Sequence, residues 1–400
     1  MNIFEKIFQM TGFPAILSEP GFLIMIGISL FILFLGIVKK YEPLLLVPIG
    51  FGVLIGNIPG ANLGVVQVDE SMGILEIAQN HGIINFLYYS LIKTGFLPPL
   101  IFMGVGALTD FGPMLRNLRL VFFGAAAQIG IFSVLIVASF VGFTNQEAAS
   151  LAIIGGADGP TAIYTSIILA PHLLGPIAIA AYSYMALVPV IIPFVVKFTV
   201  SKKELLINMK NQEENNQGDD IKNLDAIKII FPILMTIIIS LIVPSSTPLI
   251  GFLMFGNLVK EIGSSTARLS KNISDNILNS STVFLGLSIG ATMTPVSFLN
   301  LQTLGIIFGG LFAFIISIIG GVLAVKVFNL FSNKKINPLI GATGLSAVPM
   351  ASRVANDIAL KNDPSNHIIH YAMASNISGV IGSAVACLLY TSPSPRDRSI

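Results

Sequence analysis

The sequence predicts an all-α polytopic membrane protein with about 10 or 11 transmembrane helices in two inverted repeats, some of them discontinuous and re-entrant. Three observations carry this prediction. First, 54% of the residues are hydrophobic and only 10% are charged, whereas a soluble domain is about 25% charged. Second, the apolar runs are interrupted by many of the 37 glycines and 22 prolines, which are frequent in transmembrane helices. Third, short motifs recur in the same order in both halves of the chain.

The apolar runs set the predicted order of the membrane segments. Roughly 20 apolar residues cross a bilayer, and several runs are shorter or broken, so we expect re-entrant hairpins among the crossings. Met1 to Pro20 carry no small-residue cleavage site and are expected to form an interfacial segment rather than a signal peptide. The runs lie at about 21–38, 43–58, 84–108, 120–143, 148–170, 174–196, 227–245, 247–259, 280–298, 303–328, 337–350 and 366–390.

Basic residues predict which loops face the cytoplasm, because Lys and Arg are enriched on that side of membrane proteins. The segment from Tyr41 to Ile92 contains neither residue and carries Asp69, Glu70 and Glu76, so its loop is expected outside. The polar stretch from Ser201 to Lys222 is expected to be a flexible cytoplasmic linker. The predicted cytoplasmic clusters are Lys39-Lys40, Arg116 with Arg119, Lys197 to Lys203, and Lys334-Lys335.

Three motif pairs indicate an internal duplication. Each match is compatible with chance similarity between Gly-rich apolar segments, but their shared order favours two related halves. We therefore predict a first repeat over 21–200, a polar linker over 201–226 and a second repeat over 227–390, followed by an atypical, non-native tail over 391–400 with no assigned role. The pairs are Pro48–Asn57 with Pro248–Asn257, Phe102–Ala107 with Phe284–Ala291, and Gly156–Gly159 with Gly341–Gly344.

Asp158 is the main candidate for a functional residue. Between Leu120 and Val196 the only other acidic residue, Lys or Arg is Glu147, which lies in a polar turn. The neighbouring Gly155-Gly156 and Gly159-Pro160 disfavour a continuous helix, and Pro160 suits the first turn of a new one. A carboxylate at membrane depth beside unwound carbonyls suits a hard cation such as Na⁺. The alternative is an N-cap aspartate that only stabilises a helix start.

The matching segment of the second half, from Asn337 to Ser346, offers amide, hydroxyl and carbonyl oxygens without a charge. It is either a second broken helix at an ion site or a packing hairpin. Arg353 follows at the end of an apolar run, where it could meet an anion or serve as an ordinary interfacial arginine.

The last span and the span after Asp158 add further polar groups. Asn376, Gly379 and Ser383 share one helical face, which indicates either a ligand role for Asn376 or polar contacts between helices. Tyr182 and Tyr184 lie just after the broken segment, where a hydroxyl could bond a carboxylate or simply pack.

Several functional classes find no support in the sequence. It contains no P-loop, no dinucleotide-binding glycine motif and no recognisable nucleophile with its base, and no nucleic-acid partner is expected. The single cysteine, Cys387, excludes a disulfide framework within the chain. Energy for any transport is therefore expected from an ion gradient or from a reaction delivered by a partner.

The motifs together resemble the β subunit of sodium-pumping biotin-dependent decarboxylases, a group that includes oxaloacetate, methylmalonyl-CoA, malonyl and glutaconyl-CoA decarboxylases. The resemblance covers about residues 20 to 390. It rests on Gly155-Gly156-Ala157-Asp158-Gly159-Pro160-Thr161, Ala181-Tyr182-Ser183-Tyr184-Met185-Ala186-Leu187-Val188-Pro189, Ser346-Ala347-Val348-Pro349, and Asn376-Ile377-Ser378-Gly379-Val380-Ile381-Gly382-Ser383.

The resemblance implies a mechanism. Carboxybiotin, carried on a partner subunit, docks on the cytoplasmic side and is decarboxylated with uptake of a proton, and the released free energy drives Na⁺ outward. The implied partners are a carboxyltransferase α subunit, a biotin carrier protein or domain and a small single-span γ/δ subunit, with self-association into a homo-oligomer left open. The implied location is the cytoplasmic (inner) membrane of a bacterium or archaeon.

The resemblance also implies roles for individual residues, carried over motif by motif. Asp158 becomes the carboxylate shared by Na⁺ and the proton, and Tyr184 its hydroxyl partner. The implied catalytic residues are Asp158, Tyr184, Ser346 and Arg353. The implied carboxybiotin-binding residues are Arg353, Asn337 and Gly341. The implied Na⁺ ligands are Asp158, Asn376, Asn337 and Ser346.

Two other functional interpretations of the sequence remain open. A secondary cation/proton antiporter would use the same inverted broken helices without biotin, but it would not need Arg353 beside the 337–353 hairpin. A membrane scaffold that anchors a soluble enzyme would bind no Na⁺.

Overall fold

The computed structural model describes residues 8, 10–69, 72–209, 223–347 and 349–389, and these residues fold into helices without a β-strand. The first half contains α1 (Phe13–Ser18), α2 (Pro20–Ile37), α3 (Pro43–Gly56), α4 (Ile74–Leu87), α5 (Leu97–Leu108), α6 (Gly112–Arg116), α7 (Arg119–Ala127), α8 (Ile129–Val141), α9 (Asn145–Ala152), α10 (Gly159–Leu169), α11 (Leu174–Thr199) and α12 (Lys202–Leu205). The second half contains α13 (Leu224–Ile242), α14 (Thr247–Glu261), α15 (Ala267–Lys271), α16 (Leu278–Thr292), α17 (Pro295–Phe298), α18 (Leu301–Phe331), α19 (Leu339–Ala342), α20 (Met350–Asn362) and α21 (Ile369–Leu389). The all-α prediction is confirmed. The predicted tail, 391–400, and residues 210–222 of the predicted linker lie outside the described residues.

Three stretches of the described residues are long and apolar enough to cross a membrane: Leu224–Ile242, Leu301–Phe331, and Arg119–Val141, which combines α7 and α8. Two further pairs, Ile74–Ile92 with Leu97–Leu108 and Pro171–Met185 with Leu187–Thr199, meet the requirements of length and hydropathy only together and are bent by 68° and 63°. The predicted discontinuous helices are therefore present. The number of crossings stays a prediction.

The two halves pack against each other reciprocally. Helix α3 of the first half lies along α16 of the second, and α14 of the second half lies along α5 of the first. Glycines permit the close approach: a Cβ on Gly256 would lie 1.9 Å from the Met103 carbonyl oxygen, and one on Gly290 would lie 2.2 Å from that of Ile49. The repeated glycine motifs thus mark the helix contacts through which each half holds the other.

Two buried asparagines, one in each half, form hydrogen bonds to the other half in the same reciprocal way. The Asn57 side chain donates to the Met293 carbonyl, at the end of α16, over 2.7 Å. The Asn257 side chain donates to the Thr109 carbonyl, at the end of α5, over 2.8 Å. Carbonyls at a helix end have no partner within the helix. Asn57 and Asn257 are the last residues of the two matching motifs. Each therefore donates a hydrogen bond to a carbonyl at a helix end of the opposite half.

The halves run in opposite directions. Glu42, which precedes α3, and Asp110, which follows α5, line one cavity mouth. At this same face Lys228 bonds Asp110 at 2.7 Å and Glu261, the last residue of α14, at 3.6 Å. Helix α3 therefore begins where its counterpart α14 ends, as inverted repeats require. The exact repeat and linker boundaries stay a prediction.

The segment from Asn145 to His172 forms a hairpin, named hairpin 1, with Asp158 near its tip. Helix α9 continues into a short 3₁₀ helix, Ile153–Gly156, and the chain reverses at Ala157, whose φ is +52°. At the open end His172 Nε2 lies 2.8 Å from Glu147 Oε1, so both arms end on one side. The hydrogen bonds from the Thr144 backbone N–H and from His172 lower the pKa of Glu147, so its carboxylate is ionised in this contact at neutral pH.

A second hairpin, named hairpin 2, runs from Asn337 through α19 and α20 to Asp363 and enters from the opposite face. The start of the linker holds its base: Asn337 Nδ2 donates to the Leu205 and Ile207 carbonyls at 3.1 and 3.0 Å, and Asn208 Nδ2 donates to Asp363 at 2.9 Å. The two tips meet where the Ser346 backbone N–H donates to the Gly156 carbonyl over 2.9 Å.

Removing one asparagine of the reciprocal pair should destabilise the protein. Asn57→Ala leaves the buried Met293 carbonyl without its side-chain donor, and an unsatisfied buried group costs about 1–3 kcal/mol. We expect a lower unfolding midpoint in detergent, measured by circular dichroism because the chain has no tryptophan. Asn276→Ala removes an exposed amide that bonds only a neighbouring asparagine and should leave the midpoint unchanged. Equal midpoints for both variants would contradict the capping role.

Candidate functional site

Asp158 lies at the tip of hairpin 1, and its side chain is 3% exposed. It is the N-cap of α10: Oδ1 accepts the Thr161 backbone N–H at 3.0 Å, and proline occupies the first turn of the helix. The expected helix cap is therefore present, so the capping role and an ion role are compatible at this residue. Burying a carboxylate without full pairing is costly, and the next groups around it supply that pairing.

Two serine hydroxyls join the Asp158 carboxylate to hairpin 2. Ser383 Oγ, on α21, donates to Asp158 Oδ2 over 2.7 Å, and Ser346 Oγ lies 2.7 Å from Ser383 Oγ. The side chains of Thr161 and Ser346 also border the carboxyl. Three segments, hairpin 1, hairpin 2 and α21, thus converge on a single acid.

Asn376 holds the break of hairpin 2 beside this cluster. Its amide nitrogen donates to the Leu345 carbonyl, and its amide oxygen accepts from Ser352 Oγ at 3.2 Å. The side chain is fully buried. The structure therefore places Asn376 next to Ser346, in contact with the unwound backbone of hairpin 2 rather than with Asp158 itself.

A cavity of about 610 Å³ connects the site to one face of the protein. Asp158, Tyr182 and Ser346 line it, and Arg353 is an exposed residue of its wall. The remaining lining is largely apolar, from residues such as Leu45, Ile101, Phe102, Val105 and Met373. The distribution of positive charge, with Lys39, Lys40 and Lys228 nearby, predicts that this face is the cytoplasmic one.

The wall of the cavity that contains Arg353 also carries acidic residues. Glu42, Asp110 and Asp275 line the same cavity. Burial raises the pKa of Glu42, and the positive charge of Arg353, which lowers it, only partly offsets this effect. No ion pair of Arg353 within 4 Å is recorded among the described residues. Arg353 is the one Lys or Arg among the described residues that line this cavity.

The structure does not bring Asn337 and Gly341 to Asp158. Asn337 is fully buried at the base of hairpin 2, where its side chain bonds the linker. Gly341 packs against Gly321 of α18, and a Cβ on Gly341 would lie 2.0 Å from the Gly321 carbonyl oxygen. Among the described residues that line the cavity neither is present. Their contacts position hairpin 2, and their roles as ligands stay predictions without a direct contact.

Of the two tyrosines, Tyr182 is the neighbour of the acid. Its ring packs over Gly159, where a Cβ would lie 2.5 Å from the ring, and its buried hydroxyl has no hydrogen-bond partner among the described residues. The Tyr184 hydroxyl instead donates to the Ile307 carbonyl of α18, and its ring stacks on Phe314. The predicted contact between Tyr184 and Asp158 is therefore absent from these described contacts, and the role of Tyr184 stays a prediction.

Ser383 and Thr161 are the site residues to which the sequence assigned no role. A signal for Ser383 existed, because it shares a helical face with Asn376 and Gly379. Thr161 follows Asp158 by three residues, the spacing of an N-cap and its partner, and its hydroxyl is buried without a hydrogen bond among the described residues. Both place neutral oxygens beside the carboxylate, and a carboxylate with neutral oxygens is the kind of ligand set that a hard cation prefers.

Known proteins are similar to this chain over almost its full length. The family described as "Na+-transporting oxaloacetate decarboxylase beta subunit" matches residues 21–392. The chain is 46% identical over 384 residues to methylmalonyl-CoA decarboxylase subunit beta of Veillonella parvula, covering 96% of this chain and 95% of that protein. It is 45% identical over 390 residues to the subunit of the same name from Propionigenium modestum, covering 95% and 96%. Glutaconyl-CoA decarboxylase subunit beta of Acidaminococcus fermentans is 45% identical over 381 residues, covering 95% of each.

A family match of this extent agrees with the buried acid, the two broken hairpins and the arginine in the cavity wall described above. The chain belongs to the β-subunit family of the Na⁺-transporting oxaloacetate decarboxylases.

Proposed function

We propose that this chain is the membrane subunit of a primary sodium pump, in which decarboxylation of carboxybiotin drives Na⁺ out of the cell. The observation that carries the proposal is Asp158: a carboxylate buried between two hairpin tips, at the inner end of a cavity that reaches the cytoplasmic face. Membership of the family supplies the reaction. On its own, the site geometry would also suit an antiporter.

The proposed Na⁺ site uses the oxygens that converge at the tips. Na⁺ is the transported substrate, and Asp158 would hold it together with the hydroxyls of Ser346, Ser383 and Thr161. This set of one carboxylate and neutral oxygens fits a hard monovalent cation. Asn376 would contribute by fixing the Leu345 carbonyl and the Ser346 backbone at this position.

The proposed carboxybiotin site is the cytoplasmic cavity. Carboxybiotin, carried on a partner subunit, supplies a carboxyl group whose loss as CO₂ releases free energy and consumes one proton. Arg353 would bind its negative charge, since guanidinium groups pair strongly with carboxylates. The apolar wall of the cavity would exclude water around that pair, which strengthens it.

Asp158 would couple the two events because one carboxylate cannot hold Na⁺ and a proton together. Protonation of Asp158 releases Na⁺, and transfer of that proton into the cytoplasmic cavity restores the carboxylate for the next ion. The tips of hairpins 1 and 2 are the discontinuous elements that would carry the change of access from one face to the other.

The assembly proposed for this chain follows from the family. A carboxyltransferase α subunit would load biotin and choose the carboxyl donor, a biotin carrier would dock at Arg353, and a small single-span subunit would complete the membrane part. The complex would lie in the cytoplasmic membrane of a bacterium or archaeon.

Avidin separates this pump from an antiporter. In inside-out vesicles that contain the whole complex, avidin added outside should abolish substrate-driven Na⁺ uptake, because it sequesters biotin. The same vesicles should show no Na⁺ uptake driven by an imposed pH gradient alone. Avidin-resistant uptake driven by that gradient would instead establish the antiporter.

Asp158→Asn should abolish both Na⁺ transport and Na⁺-dependent decarboxylation, by roughly 100-fold or more, because the amide neither binds a proton nor carries the charge. Both rates would be measured in proteoliposomes with radiolabelled Na⁺. Asp225→Asn makes the same chemical change at an exposed position in the first turn of α13, outside the lining of the cavity, and should retain both activities. Retention of coupled transport by Asp158→Asn would overturn the shared-carboxylate scheme.

Arg353→Gln should weaken the binding of the carboxylated biotin carrier. Loss of a charge-assisted contact costs about 1.5–3 kcal/mol, so the half-saturating carrier concentration should rise roughly 10- to 100-fold while that of Na⁺ stays constant. Lys361→Gln removes an exposed positive charge from the same helix and serves as the control. A selective change in the Na⁺ requirement of Arg353→Gln would assign this arginine to the ion site instead.

A further inference from the structure

We propose that Lys228 is a specificity-determining residue of the cavity: by pairing with Asp110 it cancels a negative charge that would otherwise repel an anionic carboxyl group bound at Arg353. The inference rests on the proposed function and gives a role in substrate selection to a lysine outside the predicted site. Its basis is the contact of 2.7 Å between Lys228 Nζ and Asp110 Oδ1, at the wall of the cavity.

The lining of the cavity carries more acidic than basic residues. Besides Asp158, it includes Glu42, Asp110 and Asp275, whereas Arg353 is its one Lys or Arg among the described residues. A cleft with walls of low dielectric concentrates the field of its charges. Acids without a counter-charge would therefore lower the local concentration of an anion. A cavity with this lining binds an anion well only if positive charges behind its wall offset the acids.

Lys228 supplies such a charge from α13. It is not among the described residues that line the cavity, and its side chain is 18% exposed, whereas that of its partner Asp110 is 46% exposed. Asp110 Oδ1 also accepts the Gly112 backbone N–H over 2.8 Å. The carboxylate is thus held by two donors, and the ammonium group lies beside it without lining the space that an anion would enter.

The packing around Lys228 fixes its position. A Cβ on Gly112 would lie 2.7 Å from Lys228 Cε, so a larger residue at this turn would displace the lysine. Lys228 Nζ also lies 3.6 Å from Oε2 of Glu261, whose side chain is 11% exposed. The neighbouring Lys260 donates instead to backbone carbonyls at the end of α5. Among the described residues, Lys228 is therefore the cation in direct contact with Asp110.

Charge cancellation has a consequence that a structural ion pair does not share. Loss of the Lys228 charge leaves the Asp110 carboxylate uncancelled in the cavity wall, whereas loss of the Asp110 charge leaves the lysine beside the cavity. The two changes should therefore alter the apparent affinity for an anion in opposite directions, and removal of both charges should restore it. An ion pair that only holds the fold together would give the same direction for either loss.

Lys228→Gln tests the proposal in the reconstituted complex, because glutamine keeps a hydrogen-bond donor but removes the charge. We expect the half-saturating concentration of the carboxylated biotin carrier to rise roughly 2- to 10-fold. Turnover at saturating carrier and the half-saturating Na⁺ concentration should each stay close to the wild-type value. The rise should be largest at low ionic strength and shrink as salt is added, because salt screens the repulsion.

Three further variants make the result specific. Asp110→Asn alone should lower the half-saturating carrier concentration, and combining it with Lys228→Gln should return that concentration close to the wild-type value. Lys326→Gln breaks a comparable ion pair, with Glu204 at 3.1 Å, and neither of these residues is among the described residues that line the cavity. This control should leave the half-saturating carrier concentration unchanged.

Other outcomes reject the proposal. A rise that is equal at low and high salt, or that persists in the double variant, would make Lys228 a structural residue. If the Lys228→Gln complex does not assemble, Asp110→Asn decides, and an unchanged or increased half-saturating carrier concentration overturns the charge effect. Failure of the proposed function is separately visible, because the wild-type complex would then show no avidin-sensitive, Na⁺-dependent turnover. A pumping wild-type complex with variants of unchanged carrier dependence would reject the role of Lys228 alone.

Discussion

The cost of burying one carboxylate governs the architecture around it. Asp158 is almost completely removed from solvent, and an unpaired carboxylate there would be strongly destabilising. Its two oxygens are instead satisfied by a backbone N–H of its own hairpin and by a serine from the last helix. A third segment reaches that serine through Ser346. The buried acid is therefore stable only while hairpin 1, hairpin 2 and α21 stay in contact. A change in its protonation or in its bound ion would alter the contacts among these three segments.

The inverted repeats supply the rigid frame for this assembly. Close glycine contacts and the crossed caps of Asn57 and Asn257 bind the helices of one half to those of the other. Because hairpins 1 and 2 enter from opposite faces, their tips meet in the interior. There the unwound backbone of one tip can form hydrogen bonds with the other tip. Irregular backbone at membrane depth is tolerated only under such conditions. The fold thus places loose carbonyls and hydroxyls around the acid without exposing them to lipid.

The linker has a structural role that its polar composition does not suggest. Its first residues, Leu205 to Met209, bond Asn337, Asp363 and Asn366 at both ends of hairpin 2. The base of the hairpin is therefore tied to the connection between the halves. Asn337 and Gly341 act in this structure by fixing where hairpin 2 lies, so an effect of either residue on transport would reach Asp158 through the position of Ser346.

The sequence by itself determined the fold class and the broken segments, and it predicted the duplication and a functional role for Asp158. These follow from quantities that are local along the chain, namely hydrophobic length, glycine and proline placement, and the rarity of charge. It also identified Ser346, Arg353 and Asn376 as polar groups near the breaks, and the structure places them around one cavity or beside its tip. Only the tertiary structure decided that Tyr182 rather than Tyr184 faces the acid and that Ser383 bridges the hairpins. These choices depend on the rotation of each helix about its axis, which is set by packing against α18 and α21 and not by any residue's immediate neighbours.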